Sequence, residues 1–344
     1  MTETRREQPS QVSPEAQLLQ LISGFRISQA IRVAAELAIA DLLANGPKSS
    51  TELAQATGSH PRALYRLLRA LASVGIFTEV EPERFGLTPM AEALQADAPA
   101  SQRGMALLVA GDARWRAWAQ LGYSVRTGET AFQHVHGMDA WDYLKQHPAD
   151  NAAFNASMTS GSALQAAAIV AAYDFSGFGT LMDVAGGHGL LLTTILFANP
   201  TLRGILAEQP HVVDSARPIV EQSGVADRCA VVEVDFFASV PSGANAYLLK
   251  WIIHDWDDER ALTILKNCRE AMGPNGTLLL AEAVIPLGDT PSPRKFGDLG
   301  MLVAEGGQER TEQEFRALFE TAGFKLTRIV PTRSPLSVIE GKPI

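Results

Sequence analysis

Cysteine is nearly absent. Cys229 and Cys268 are the only two in 344 residues, and their spacing offers neither a metal knuckle nor a redox pair, so reduced core thiols are the reading. Long apolar runs are missing too: nothing approaches the roughly 18 residues a membrane helix requires, and the opening MTETRREQPS has no apolar segment behind its charges. Both features predict a cytoplasmic protein without a membrane partner. Positive charge is in short supply, with 29 Lys+Arg against 38 Asp+Glu and a formal net charge of −9, which argues against a general appetite for nucleic acid or anionic membranes. There is no internal repeat and no low-complexity tract beyond a loose polar tail of about a dozen residues. What is present is an ordinary globular composition, 46% hydrophobic and 19% charged. The chain exceeds the roughly 250–300 residues at which one core stops growing, so two domains are expected.

Apolar residues first step at helical intervals, Leu18, Ile22 and Phe25, then Ile27, Ile31 and Ala34, predicting a long helical opening that Gly46-Pro47 stops. Ser49 stands three residues before Glu52 as a capping box, and SSTELAQATG with HPRALYRLLRALASVGIF reads as two helices turning at Gly58. FTEVEPERFGLTP follows as a small hairpin. The pattern is a winged helix, and a DNA reader would place Arg62, Arg66 and Arg69 on phosphates or base edges. Residues 1–100 carry 9 Lys+Arg against 11 Asp+Glu, however, where a DNA-binding domain is clearly basic. A partner-facing module is the reading instead.

Residues 101–173 read as a helical bridge with interleaved aromatics. His134 and His136, two apart in AFQHVHGM, would point the same way from an extended segment, but no Cys or third His accompanies them, so loop histidines are preferred to a metal site. From residue 174 to 344 short apolar runs alternate with helical stretches, the grammar of a mostly parallel sheet flanked by helices. The strands are TLMDVAG, RGILAE, CAVVEVD, AYLLKWI and GTLLLAEA, with KLTRIVPT and PLSVIEGKPI as a closing antiparallel pair. The fold class is therefore α/β, a Rossmann-like sheet preceded by a helical, winged-helix-like domain.

In such sheets ligands bind at the carboxyl ends of the strands. The first strand runs into Asp183-Val184-Ala185-Gly186-Gly187-His188-Gly189, a turn that lets a ligand approach the backbone. A dinucleotide fingerprint would need a third glycine where Leu192 stands, and Asp183 would repel a pyrophosphate. The same carboxylate suits a ligand with an ammonium group and no phosphate, as S-adenosylmethionine is. Glu208 ends the second strand, where a carboxylate can accept from both ribose hydroxyls, and the third is read as ending at Asp235, with Phe236 beside it to cover an adenine. Taken singly each acid could be a surface charge or a helix cap; three consecutive strands ending in acids make the better signal.

LMDVAGGHG, LAEQPHVV, VEVDFF, LLKWIIHDWDDE, LKNCREAMGPNG, LLLAEAVIP, FNASMTSGS at 154–162 and GGQERTEQEF at 306–315 give the chain its resemblance. Over nearly its whole length it resembles the bacterial and plant small-molecule O-methyltransferases that join a winged-helix dimerisation domain to an adenosylmethionine-binding domain. The resemblance implies a homodimer, with Ser162 and the Asp183 turn (Gly186, Gly187, Gly189) at the amino-acid end of the cofactor. It implies Glu208 at the ribose, Asp235 and Phe236 at the adenine, and Lys250 on the adenosine side. Phe154 and Met158 would border cofactor and acceptor. Ala185 stands where the family usually has glycine and Glu208 where it usually has aspartate. Alanine is tolerated where a turn needs no positive φ, and a longer carboxylate can still fork to a diol.

Methyl transfer to a hydroxyl calls for a base, because a phenol of pKa about 10 is almost wholly protonated at neutral pH. His254, in Lys250-Trp251-Ile252-Ile253-His254-Asp255, can accept that proton. Glu282 and Glu309 match the residues that flank the catalytic histidine in the family, and a carboxylate on one ring nitrogen would leave the other free as base. The run Asp257-Asp258-Glu259 could suggest magnesium but reads better as helix capping, so no metal is expected. Phe132, Met138, Trp141, Phe154, Met158, Asp255 and Met301 are the acceptor-pocket candidates, implying an apolar, planar hydroxylated small molecule. The competing classes are a ligand-sensing transcription regulator, an NAD-dependent oxidoreductase, which lacks its glycine, and a family member turned to other chemistry.

Overall fold

Ser13 accepts the Ala16 N–H at 3.3 Å and Pro14 opens the first turn of the helix Pro14–Ser23, the first element of the computed structural model, which describes residues 13–344. The expected polar tail lies outside the described residues. The chain forms two compact units, residues up to Gly111 with Ala152–Ser157, and Asp112–Asn151 with Met158–Ile344.

In the first unit the expected long opening helix is broken twice. Gly24 separates Pro14–Ser23 from Phe25–Glu36, and Ala38, at φ 52°, turns the chain into the short helix Ile39–Leu42. The Ser49–Glu52 capping box forms as read, with the Glu52 N–H on Ser49 Oγ at 3.2 Å and the Ser49 N–H on Glu52 Oε2 at 2.7 Å. It starts the helix Ser50–Thr57, which Gly58 ends at φ 68°, a left-handed cap that glycine adopts at least cost. The next helix, Pro61–Ala72, buries Leu64, Leu68 and Leu71 along one face. Strands β1 (Lys48–Ser49), β2 (Phe77–Glu81) and β3 (Arg84–Leu87) form the antiparallel wing in the order β1-β3-β2, and Phe77 and Phe85 close the core against Leu53 and Leu68. Arg62 and Arg69 lie over the Tyr65 ring at 5.3 and 5.4 Å.

The second unit is built on seven strands: β4 (Thr180–Val184), β5 (Arg203–Glu208), β6 (Cys229–Glu233), β7 (Ala246–Lys250), β8 (Thr277–Glu282), β9 (Phe324–Pro331) and β10 (Ser337–Pro343). Their order is β6-β5-β4-β7-β8-β10-β9, with the first five parallel and β10 antiparallel to both neighbours. Successive strands leave β4 towards β6 on one side and towards β8 on the other, so the switch point falls between β4 and β7. Asp183 and Lys250 sit at that crevice. β7 and β8 are near-continuous apolar runs because both faces are covered, and β6 stops at Glu233, two residues short of the expected Asp235. Asp235 instead opens a turn, its Oδ1 accepting the Phe237 N–H at 3.0 Å.

His134 and His136 are not on an extended segment. They belong to the helix Ala131–His136, where residues two apart diverge. His134 stacks on Tyr123 with centroids 4.0 Å apart, while His136 Nε2 meets the Ala113 carbonyl at 3.0 Å. Among the described residues no cluster of three or more His, Cys, Asp or Glu could hold a metal, and no helix is long and apolar enough to cross a membrane.

Candidate active site

Three residues of the turn after β4 have positive φ: Ala185 at 58°, Gly187 at 59° and Gly189 at 78°. The tolerance expected for Ala185 therefore rests on a condition the turn does not meet, and alanine is held here in the left-handed region, at a cost of about 1–2 kcal/mol. Gly186 is required by space rather than by φ. A Cβ there would lie 2.4 Å from Asp183 Oδ2 and 2.7 Å from Leu206 Cδ1. Glu208, 7% exposed at the end of β5, pins this turn to its own strand: Oε2 accepts the Gly187 N–H at 2.9 Å and Oε1 the Gln209 N–H at 2.8 Å. Each oxygen keeps a second lone pair for a diol.

Asp183 is 1% exposed and neither of its oxygens has a hydrogen-bond partner. Burial pushes its carboxyl up to about 7, against the pull of the Lys250 ammonium and with the push of Glu208. Lys250 is lowered by burial, with Asp183 and Glu282 opposing. An unpartnered buried carboxylate beside a glycine turn, with a second one poised on the next strand, fits a ligand that brings a cationic amine and a ribose diol. Ser162 Oγ donates to the Met158 carbonyl of its own helix at 2.5 Å. Asp235 is exposed, whereas Phe236, only 6% exposed, packs against Phe237 with centroids 4.8 Å apart and gives its carbonyl to Asn267 at 2.8 Å.

At the end of β7 the chain makes a sharp corner. Trp251 has φ 56°, an outlier for so bulky a residue, and a single 3-10 turn, Ile253–Asp255, follows. Glu282, fully buried at the end of β8, holds this corner with Oε1, which accepts the Ile252 and Ile253 N–H groups at 3.0 and 2.8 Å. It therefore acts first on the backbone beneath His254 rather than on the ring. Glu309 Oε1 lies 3.5 Å from His254 Nδ1, an electrostatic approach rather than a formed hydrogen bond, and Asp255 Oδ1 lies 3.3 Å from Nε2. The second ring nitrogen, expected to be free, thus has a carboxylate of its own, and Asp255, read as a pocket residue, is part of the histidine's surroundings. Burial alone would lower the imidazole, but Asp255, Glu282 and Glu309 together raise it to about 9. Asp255 is itself raised to about 7 by burial, with His254 pulling down and Glu305, Glu282 and Glu309 pushing up, and burial raises Glu282.

The sequence reading missed four neighbours. Arg294 Nη1 is 3.8 Å from Glu309 Oε1 and its guanidinium lies 4.6 Å from the Trp251 ring centroid. Glu305 pairs with Arg114, and the buried Arg310 joins Asp258. Arg310 lies in GGQERTEQEF, where nothing local distinguishes a buried arginine from a surface one. Asp257 does cap the next helix, accepting the Arg260 N–H at 2.8 Å, whereas Asp258 is turned to Arg310. Of the acceptor candidates, Phe132 is 3% exposed and edge-on to Tyr143, a core residue rather than an open wall. Met138, Trp141 and Met301 are half-buried and Met158 is exposed, whereas Phe154 belongs to the first unit.

A seven-stranded, mostly parallel sheet with this acid-lined turn is the architecture of a Rossmann-like methyltransferase, and the comparisons agree. The family model for the O-methyltransferase domain matches residues 118–325 and that for the O-methyltransferase dimerisation domain matches residues 19–97. The chain belongs to the O-methyltransferase family and is an S-adenosylmethionine-dependent enzyme. It is 46% identical to the phenazine O-methyltransferase PhzM of Lysobacter antibioticus, over 95% of this chain and 96% of that one. The crystal structure of LaPhzM superposes with a TM-score of 0.90 at 46% identity, covering 97% of this chain and all of that one. NcsB1, an O-methyltransferase of neocarzinostatin biosynthesis solved with S-adenosylmethionine and 2-hydroxy-5-methyl naphthoic acid, is 33% identical with a TM-score of 0.83, over 98% of this chain and all of that one. The methyl donor is S-adenosylmethionine, released as S-adenosylhomocysteine, and the chain is a methyltransferase of secondary metabolism.

Proposed function

We propose that the enzyme methylates a hydroxyl of a small planar aromatic metabolite, phenolic or polyketide-like, with His254 as general base. The observation that carries this reading is a buried imidazole at the end of β7 surrounded by Asp255, Glu282 and Glu309. When bound, the cofactor supplies a methyl group on a sulfonium. The chain's own residues handle the proton. Asp255, Glu282 and Glu309 favour the protonated imidazole, so a proton taken from the acceptor as the bond forms is stabilised on His254. Glu282 fixes the backbone of the corner, Glu309 and Asp255 stabilise the imidazolium, and Asp183, Glu208, Asp235 and Lys250 serve the cofactor. The aromatic hydroxy acid carried by NcsB1 supports an acceptor of this class.

The test is His254→Ala against a panel of phenols. We expect unchanged cofactor affinity and a loss of about 10²–10⁴-fold in kcat, smaller for acidic phenols that ionise unaided. Full activity across acceptors of differing pKa would show that positioning alone carries the reaction.

We further propose a homodimer that binds no nucleic acid. The helix Pro14–Ser23 buries no residue of its own, and Leu21, Ile22 and Phe25 are 78%, 62% and 51% exposed, a patch one chain leaves uncovered within the segment matched as a dimerisation domain. Light scattering at micromolar concentration should give twice the chain mass.

A further inference from the structure

We infer that Arg310 is a positioning residue for His254, holding the corner that carries the imidazole from the side opposite Glu282. This rests on the reading of His254 as base. Arg310 is 1% exposed and spends its guanidinium on the backbone of that corner. Nη1 donates to the Ile253 carbonyl at 3.0 Å and Nη2 to the Trp256 carbonyl at 3.0 Å. Nε at 3.0 Å and Nη2 at 2.8 Å also donate to one carboxylate oxygen, Asp258 Oδ1, and Nη1 makes a longer contact of 3.4 Å with the Gln308 carbonyl. Gln308 completes the set, its N–H reaching the His254 carbonyl at 2.9 Å and its side chain reaching Asp258 Oδ1 at 2.7 Å. Gly307 permits the approach, since a Cβ there would fall 2.0 Å from the His254 carbonyl oxygen.

The corner is therefore gripped at both poles of its peptide groups. Glu282 takes the N–H groups of Ile252 and Ile253, while Gln308 and Arg310 take the carbonyls of Ile253, His254 and Trp256. Trp251 shows why two grips are needed. A tryptophan in the left-handed region persists only where its surroundings over-determine it, and release would let the segment relax and tilt the imidazole away from its carboxylates. Only a planar fork can serve two carbonyls and a carboxylate at once; a lysine ammonium in the same space cannot.

The variants are Arg310→Lys, which keeps the charge and loses the fork, and Asp258→Ala, which removes an anchor whose side chain is 65% exposed and so spares the core. A displacement of about 1 Å at a reacting group can cost about 10²-fold. We therefore expect kcat to fall by about 10–100-fold for Arg310→Lys and about 10-fold for Asp258→Ala, with KM for both substrates changing by less than about 3-fold. The kcat–pH profile should move to lower pH as the imidazole leaves Asp255, Glu282 and Glu309; the groups that face those carboxylates, Glu305 at Asp255, Asp298 and Arg294 at Glu309 and Lys250 at Glu282, are unchanged. In a His254→Ala background neither variant should lower the residual rate further. If turnover per folded molecule and the pH profile stay at wild-type values while Tm falls, Arg310 is merely structural and the inference is overturned. Equal losses with and without His254 overturn it as well. Should Arg310→Lys fail to fold, Asp258→Ala decides alone. Full activity of His254→Ala by itself would instead remove the base reading, and this inference with it.

Discussion

Replacing Asp183 with asparagine should stabilise the ligand-free enzyme while weakening its hold on the cofactor. The carboxylate is 1% exposed with both oxygens unpartnered, and burial lifts its pKa from the ordinary 3.8 to about 7. At pH 8 that difference corresponds to about 4 kcal/mol against the ionised form in the folded protein. Asparagine has nearly the same shape and no charge, but its amide brings two N–H donors that would be unpartnered in addition, at a further cost of about 1–3 kcal/mol. The net gain is then about 1–3 kcal/mol at pH 8. A group whose folded pKa is raised contributes stability below its unfolded pKa and loses it as pH rises through the folded value. The wild-type protein should thus lose stability relative to Asp183→Asn from about pH 4 to about pH 7, with the difference constant above. Thermal unfolding from pH 5 to pH 8.5 reads the stability, and calorimetry with S-adenosylhomocysteine reads the affinity. A variant whose advantage is independent of pH, or which binds S-adenosylhomocysteine as tightly as wild type, would refute the assignment of this carboxylate to a cationic ligand group.

Ala185→Gly should raise stability by about 0.5–1 kcal/mol, the left-handed strain relieved less the extra freedom of glycine in the unfolded chain, and a lower Tm would contradict the φ of 58°. Because His254 must be neutral to act as base, kcat/KM should rise with pH towards a midpoint near 9 in the free enzyme, and Glu309→Gln should move that midpoint down; a bell centred at pH 6 would disagree. Prolonged chelation should leave turnover intact; a loss restored by magnesium would revive a metal role for the Asp257–Glu259 run.

The parallel part of the sheet was legible because its strands are short, mainly apolar runs bounded by turn residues, and because β4 and β5 carry at their carboxyl ends the acids that a strand-end site demands. Short-range signals also held, as the Ser49–Glu52 box shows. Spacing alone misled in AFQHVHGM, where six residues serve a strand or a helix equally and only Tyr123 and Ala113, distant in sequence, select the helix. Phe132 was legible as aromatic but not as core, since burial depends on what packs above it. The positive φ at Ala185 accompanies restraints from the next strand, where Ala207 accepts the Ala185 N–H at 2.7 Å and Glu208 the Gly187 N–H at 2.9 Å. The candidate catalytic group was found as separate letters, but the approach of Glu309 to Nδ1 and the reach of Arg310, each over more than fifty residues, are tertiary facts that no local pattern encodes.

The placement of β10 bears on how the protein avoids sticking to itself while it folds. β10 follows β9 in the chain yet pairs on both sides, so β8, whose six residues are all buried, has a bare edge until residues 337–343 settle beside it. A naked strand of the sequence TLLLAE is the kind of template on which chains recruit one another. Once β10 and β9 add as a hairpin, the outermost strand presents Lys325, Thr327 and Arg328 to solvent, positions at which charge discourages further pairing. The late hairpin thus exchanges an adhesive border for a repellent one, and the rim bearing Glu282 becomes permanent in the same step, since Ser337 pairs directly with it.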